Sequence, residues 1–470
     1  MDRLLFPIGT TWKARRELDA LFSNVERSAA TSQRCLHLLR EHPSLAKQRH
    51  QHWLHCPLSF LLESGADLPS VMEVYAMYPP ALSQRVTLRQ SCTIFPLHVA
   101  CEQGRVAQDV IPFLVQQCPR ATRQRNWHKE SPLHLILRNP HRSASVAEVQ
   151  ALLDHSHDGA IQEETSMHRA TPLSIAFQNE HTSEEVMNVL IQRLPTDFTK
   201  LELGGTSTIR NNGVISLSRP SHRHARMSLK RAHALCKILP RLKVFHCLVP
   251  DWDPDAFDTV LENLPSLFQL EELTMTMVHL DDDEDATPLM TAFRRLLEHT
   301  NNLRLLLLEF TVPYQKEKFE LKSRVIRAFL EQLLDGLRQN DSLVELHLYY
   351  GGVKKAMNEL SYFTKEFWPS LCRLLETNTT LKQATVSLGK QGDSKGIIGA
   401  EEQRARFLMN LNQYGRCRFR NASSVTGREV ASMLDAVNQS SDLSIGNDKL
   451  DAIYGLLSQA PVVWSSIALR

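Results

Sequence analysis

The sequence predicts an α-rich repeat solenoid: a helical array first, an alternating helix–strand array after it, and a helical cap at the C-terminus. Three observations carry this expectation. A Pro-Leu phrase recurs four times, as "CPLSFLLESG" from Cys56, "FPLHVACEQG" from Phe95, "SPLHLILRNP" from Ser131 and "TPLSIAFQNE" from Thr171. A different phrase, a short leucine-rich strand, starts at Leu270, Leu303, Leu343 and Leu381, at steps of 33, 40 and 38 residues. With 470 residues the chain exceeds one ordinary core, whereas units of this period bury their apolar faces against their neighbours. The boundaries read as an N-terminal helical segment over 1–34, helical repeats over 35–200 and a junction hairpin with a basic linker over 201–234. A helix–strand array over 235–400 and a cap over 401–470 follow.

Apolar content of 42% and charged content of 23% exclude wholesale disorder. The nine cysteines contain no CxxC pair, and an odd number cannot all pair within the chain, which suits the reduced thiols of the cytoplasm or nucleus. The opening apolar run is too short for a secretory signal, and no stretch approaches the ~20 apolar residues of a membrane span. The net charge of +2 hides two opposed blocks. Residues 201–250 hold nine Lys/Arg against Glu202, and residues 251–300 hold thirteen Asp/Glu against Arg294 and Arg295. Neighbouring blocks of opposite sign are expected to neutralise each other.

In each Pro-Leu phrase the proline opens a helix, where its missing N–H is not needed, and Ser131 and Thr171 stand where a side chain caps the free N–H groups. A second apolar helix follows each phrase, with apolar residues at three- and four-residue steps, as in Val110, Phe113 and Leu114 or Val186, Val189 and Leu190. These features resemble the ankyrin repeat, whose first helix opens on a TPLHxA phrase. The first and fourth copies depart from it, with Ser59 and Ser174 in place of His. Gly65 and Gly104 keep the helix-ending glycine, and the third and fourth copies end near Asn139–Pro140 and Asn179. The resemblance covers about residues 35–195 and implies a concave binding face of turns and first helices. It places Trp53, Trp127, Lys129 and Arg169 at those turns, where the tryptophans serve either a partner or packing between repeats.

In the second array each strand phrase follows an amphipathic helix, and "LPRLKVF" near Leu239 reads as an earlier, weaker copy. Asn340 and Asn378 precede their strand phrases by three residues, where asparagine suits a left-handed helix end. Helix, turn and LxxLxL strand resemble the helix-containing leucine-rich repeat, which implies a curved horseshoe with one parallel strand per unit. The Asn or Cys that such repeats carry after the last leucine is missing, so its hydrogen-bonded ladder is expected to be missing too. Alternation sends the signature leucines into the core and a second column to the open face. That column reads Glu272, Thr274, Thr276, then Leu305, Leu307, Glu309, then Glu345, His347, Tyr349, then Gln383, Thr385, Ser387. Leu305 and Leu307 beside Glu345, His347 and Tyr349 form an expected apolar contact patch. Alternatively, "LRLLLLEF" is a strand buried on both faces. Near the C-terminus, "LNQYGRCRF" and "YGLLSQAPVVW" are similar to the closing segment of diatom-type repeat proteins, a resemblance that implies no activity.

Catalytic motifs are absent: there is no Walker loop, GxGxxG, GxSxG, HExxH or kinase signature, and no catalytic, cofactor or metal residue is assigned. His50, His52, His55 and Cys56, with Cys35 and His37 upstream, are zinc-type residues at a spacing that fits no finger. The acidic run Asp281–Asp285 lacks the glycine and spaced carboxylates of an EF-hand. The expected function is a non-catalytic protein–protein interaction scaffold, with protein partners, no cofactor and no membrane. The alternative is a nucleic-acid binder using the basic segment 219–243, which lacks the interleaved aromatics that stack bases.

Overall fold

The structure is a computed structural model that describes residues 8–23, 28–47, 56–87, 93–103, 105–140, 142–166, 170–203, 208–211, 214–217, 226–247, 251–264, 267–277, 287–311, 319–351, 367–388, 405, 406, 408, 409 and 412. Two compact units emerge. The first comprises Met1–Asp197 and Leu203–Ala225, the second Phe198–Glu202 and Arg226–Arg470. The fold is rich in helix and contains one parallel sheet of six strands.

The first unit opens with α1 (Ile8–Ser23) and α2 (Ala29–Glu41). Four helix pairs follow: α3 (Pro57–Glu63) with α4 (Leu68–Met77), α5 (Pro96–Gln103) with α6 (Val110–Gln117), α7 (Pro132–Arg138) with α8 (Val146–His155), and α9 (Pro172–Gln178) with α10 (Glu184–Gln192). Every Pro-Leu phrase thus starts a helix on its proline. These first helices pack on one another in order, α3 on α5, α5 on α7 and α7 on α9, while α6, α8 and α10 form a second row. The cores of α3, α5, α7 and α9 are buried almost end to end, from Leu58 and Phe60 to Leu173 and Phe177. A short 3-10 turn also recurs, at Pro43–Lys47, Pro79–Ser83, Pro119–Arg123 and Ala160–Gln162, each burying two consecutive residues such as Ala81 and Leu82. The sequence expectation contains no such turn. Gly65 ends α3 at φ 76°, with Arg105 Cβ 2.9 Å from where a Cβ would stand, so both backbone and space require glycine. Asn139 and Asn179 end α7 and α9. Two short strands, β1 (Val86–Thr87) and β2 (Thr93–Ile94), pair antiparallel ahead of α5.

The second unit is built on β3 (Lys200–Leu203), which falls at the start of the expected junction. Downstream, β4 (Thr208–Asn211) and β5 (Val214–Leu217), which belong to the first unit, pair antiparallel, and in the second unit β6 (Arg226–Met227) leads into α11 (Leu229–Cys236). The array then runs β7 (Val244–Cys247), β8 (Asp251–Trp252), α12 (Pro254–Asn263), β9 (Glu272–Met277), α13 (Thr287–His299), β10 (Leu305–Thr311), α14 (Phe319–Gln339), β11 (Glu345–Gly351), α15 (Trp368–Thr377) and β12 (Gln383–Leu388). Sheet order is β12-β11-β10-β9-β7-β3, while β8 pairs with β6 apart from it, so the strands of the sheet that follow one another along the chain are neighbours, each reached through the helical crossover that a parallel pair needs. Each strand begins identically: two successive N–H groups donate to one carbonyl of the strand before. Lys243 and Val244 share Thr199 O, Glu271 and Glu272 share Lys243 O, and Arg304 and Leu305 share Glu271 O. Val344 and Glu345 share Arg304 O, and Lys382 and Gln383 share Val344 O. Leu242, Leu270, Leu303, Leu343 and Leu381 stand just before these sites and are fully buried.

A side-chain ladder exists after all, ahead of the strands rather than after their last leucine. Asn340 Nδ2 donates to Leu297 O and Thr300 O at 2.8 and 2.9 Å, and Asn378 Nδ2 to Leu337 O and Asn340 O at 3.1 and 2.9 Å. Asn412 Nδ2 continues it, donating to Asn378 O and Leu381 O. The left-handed expectation for these asparagines is corrected. Asn378 has φ −77° and ψ 120°, and Lys129 is the one non-glycine residue with positive φ among those described. The asparagines end their helices by bridging backbone groups across units, which needs no strained backbone.

Candidate partner-binding surfaces

In the first unit the phrase histidine positions the turns. Ser131 N–H donates to His134 Nδ1 at 3.1 Å, which leaves the proton on Nε2, and Nε2 lies 2.8 Å from Glu163 O in the next unit. His98 Nε2 reaches Gln124 O in the same way at 3.1 Å. Burial depresses both imidazoles to a pKa of about 4, against the raising influence of Glu130 and of a backbone hydrogen bond, with Arg125 and Arg138 lowering His134 further, so both are neutral. Ser59 and Ser174 occupy this position in the first and fourth copies and close their own helix starts, through Cys56 and through Thr171.

On that footing stands a four-residue turn, Asn126–Lys129. Lys129 N–H donates to Asn126 O at 3.0 Å, and Lys129 takes the left-handed conformation at φ 59°. The base is locked by Asn126 N–H to Glu130 O and Asn126 Nδ2 to Glu130 Oε2, with Arg138 bound to the buried Glu130 carboxylate. The next turn stacks on it: the N–H and Oγ of Ser166 both donate to His128 O at 2.9 Å. At the tip Trp127 is 74% exposed, its Nε1 donating to His128 Nε2 at 2.9 Å. Trp127 and exposed Lys129 therefore share one rigid turn, with exposed Arg120 and Arg123 in the 3-10 turn before it. Trp127 does not pack between units. Trp53 and Arg169 lie outside the described residues.

The register of the second unit's sheet aligns the expected open-face column across the strands. Leu305 pairs with Glu272 and Glu345, Leu307 with Thr274 and His347, Glu309 with Thr276 and Tyr349, and β12 adds Gln383, Thr385 and Ser387. The exposed apolar patch is corrected, however. Leu305 is 6% and Leu307 1% exposed, as deeply buried as Leu306 and Leu308 on the opposite face. An unbroken "LLLL" run is the mark of a strand covered on both sides, and alternation assigns a face without saying whether the face is covered. His347 is 1% exposed, its Nε2 3.3 Å from Glu345 Oε2, and Glu345 is half-buried. The side chain of Tyr349 lies outside the described residues.

The same row carries a feature beyond the sequence expectation. His246 on β7, the register partner of Thr274, sits between Glu202 of β3 and Glu272 of β9, with Nδ1 3.6 Å and Nε2 3.5 Å from their carboxylates. Its only sequence signal is a histidine alternating with Phe245 and Cys247 in the weaker strand copy.

Other candidates fare as follows. Among the described residues no group of three or more His, Cys, Asp or Glu is placed to hold a metal ion. His50, His52 and His55 lie outside them, while Cys35 is buried and its thiol pushed up to about 12 by burial and then by Cys56. In the basic segment Arg219 and Arg223 lie outside the described residues, Arg231 is buried, and Lys243 pairs with Glu271 at 3.1 Å, an ion pair between the two opposed charge blocks. Lys230 and His233 are exposed on α11 and Lys237 is exposed at its C-terminal end, and α11 packs against the helix carrying Asp255, Asp258 and Glu262. No described helix is long and apolar enough to cross a membrane. Compared with known proteins, no family model matches the chain and no curated sequence is similar to it.

Proposed function

We propose that this chain is a non-catalytic protein–protein interaction scaffold, an ankyrin-like array followed by a leucine-rich-repeat-like array, that takes its partner on the turn edge of the first unit. The observation that carries the reading is Trp127, 74% exposed on a turn whose backbone is fixed by the Asn126–Glu130–Arg138 network and by stacking of the next turn. An exposed tryptophan offers a large apolar area and an N–H together, the profile of an interface anchor. A turn ordered before binding loses little entropy on association. Lys129, Arg120 and Arg123 supply a cationic rim that steers an approaching partner. The basic segment supports nucleic-acid binding less, because its Arg231 is buried and its Lys243 paired.

The test is quantitative capture of bound proteins from native cells at near-physiological salt, with nuclease, using the full chain and its Trp127→Ala variant. Trp127→Ala should weaken at least one nuclease-resistant partner by about 2 kcal/mol, the cost of truncating an anchor, with unchanged circular dichroism. Retention of every partner by the variant would overturn the reading, and a nuclease-sensitive set would favour the basic segment.

A further inference from the structure

The edge of the second unit's sheet holds a buried imidazole faced by a carboxylate at each nitrogen. His246 is 7% exposed, and both ring nitrogens are shielded from water without a hydrogen bond at the observed geometry. Glu202 Oε1 stands 3.6 Å from Nδ1 and Glu272 Oε2 3.5 Å from Nε2, ion-pair distances beyond direct hydrogen bonding. Lys200 Nζ is 2.8 Å from Glu202 Oε1, so Lys200, Glu202, His246 and Glu272 form a row of alternating charge when the imidazole is protonated. A neutral imidazole carries one N–H and turns a lone pair toward whichever carboxylate faces its other nitrogen. Only the imidazolium presents an N–H to both. The register partner Thr274 is uncharged, and β10 adds only Leu305 and Leu307 to these rows. The charges felt by His246 are those of Glu202 and Glu272.

We propose that Lys200, Glu202, His246 and Glu272 form a pH-sensitive fastening for β3, in which the imidazolium ties the edge strand to β9 across β7 and its deprotonation releases it. Burial works against the charge on His246, but the two carboxylates outweigh it and raise its pKa above the ordinary 6.5. Glu202, despite its own burial, is held down at about 2 by His246 and Lys200. A histidine whose folded pKa is raised stabilises fully below 6.5 and loses that stabilisation as pH rises through the folded value. Glu202, being depressed, stabilises above 4.5 and fails only as pH falls toward about 2. The fastening is therefore complete between 4.5 and 6.5 and loosens on the alkaline side. Loosening bares the backbone edge of β7, whose sheet neighbours are β9 and β3.

The experiment is histidine-ring NMR on the full chain from about pH 5 to about pH 9, with hydrogen exchange of the β3 amides corrected for intrinsic rates. The His246 midpoint should lie above 6.5, and β3 protection should fall as His246 titrates, by up to tenfold per pH unit between 6.5 and that midpoint. His246→Gln should remove the pH response and leave β3 at the wild-type alkaline level. Glu202→Gln should lower the His246 midpoint. A wild-type midpoint at or below 6.5, or β3 protection that does not change with pH, would overturn the proposal even if His246→Gln fails to fold.

Discussion

One histidine in the Pro-Leu phrase separates two kinds of unit. His98 and His134 each reach a carbonyl of the following repeat, whereas Ser174 in the fourth copy closes its own helix start. Ser174 shows that a serine here is enough to close the helix start, so the bond to the next repeat is what His134 adds. His134→Ser should therefore keep α7 helical while leaving Glu163 O without its donor. The expected loss is about 1–3 kcal/mol, the range for a buried hydrogen bond removed from one side, read as a lower urea midpoint at unchanged slope. A midpoint within error of wild type would mean the bond contributes nothing. The phrase itself is plain in the sequence, and so is the serine departure. The role of the histidine is not, because its acceptor lies 29 residues away and is a backbone atom, which no side-chain pattern records.

At the scale of elements, the asparagine ladder joins helix ends of successive units. Asn378 donates twice, to Leu337 O and Asn340 O, and its Oδ1 accepts from the N–H groups of Thr380 and Leu381 at 3.1 and 3.0 Å. Asn378→Ala strands several buried backbone groups at once, so a loss of about 2–4 kcal/mol is expected in denaturant unfolding. Asn378→Asp keeps the acceptor and loses both donations, and it should be no better tolerated. Full stability of the aspartate variant would show that the donations do not matter. Helix and strand order in this array is legible because leucines at Leu270, Leu303, Leu343 and Leu381 mark each strand entry with local chemistry. Strand β3 is not legible: "KLEL" is four residues long, and its partner β7 follows about forty residues later. Alternation puts Leu305 and Leu307 on the right face but in the wrong environment, since it carries no information about what lies above a sheet.

For the molecule as a whole, His98 and His134 of the first unit and His246 of the second have pKa values moved in opposite directions, so their responses to pH must oppose. In the first unit His98 and His134 are buried as neutral rings with pKa values near 4, against 6.5 when unfolded. Between those limits the unfolded chain binds the extra protons, so stability is intact above 6.5 and falls as pH drops toward about 4. Each histidine then costs roughly 1.4 kcal/mol for every pH unit crossed. In the second unit the carboxylates of Glu202 and Glu272 raise the pKa of His246, and its contribution is lost in the other direction, as pH rises past 6.5. Hydrogen exchange of the intact chain, followed by peptide at about pH 5 and about pH 8 and corrected for intrinsic rates, separates the two effects. Peptides covering α5 and α7 should lose protection at the acid condition, while those covering β3 and β7 should lose it at the alkaline one. If both sets moved together, a single global process such as net-charge repulsion would account for the data. Assigning one pH response to His98 and His134 and the opposite one to His246 would then be wrong.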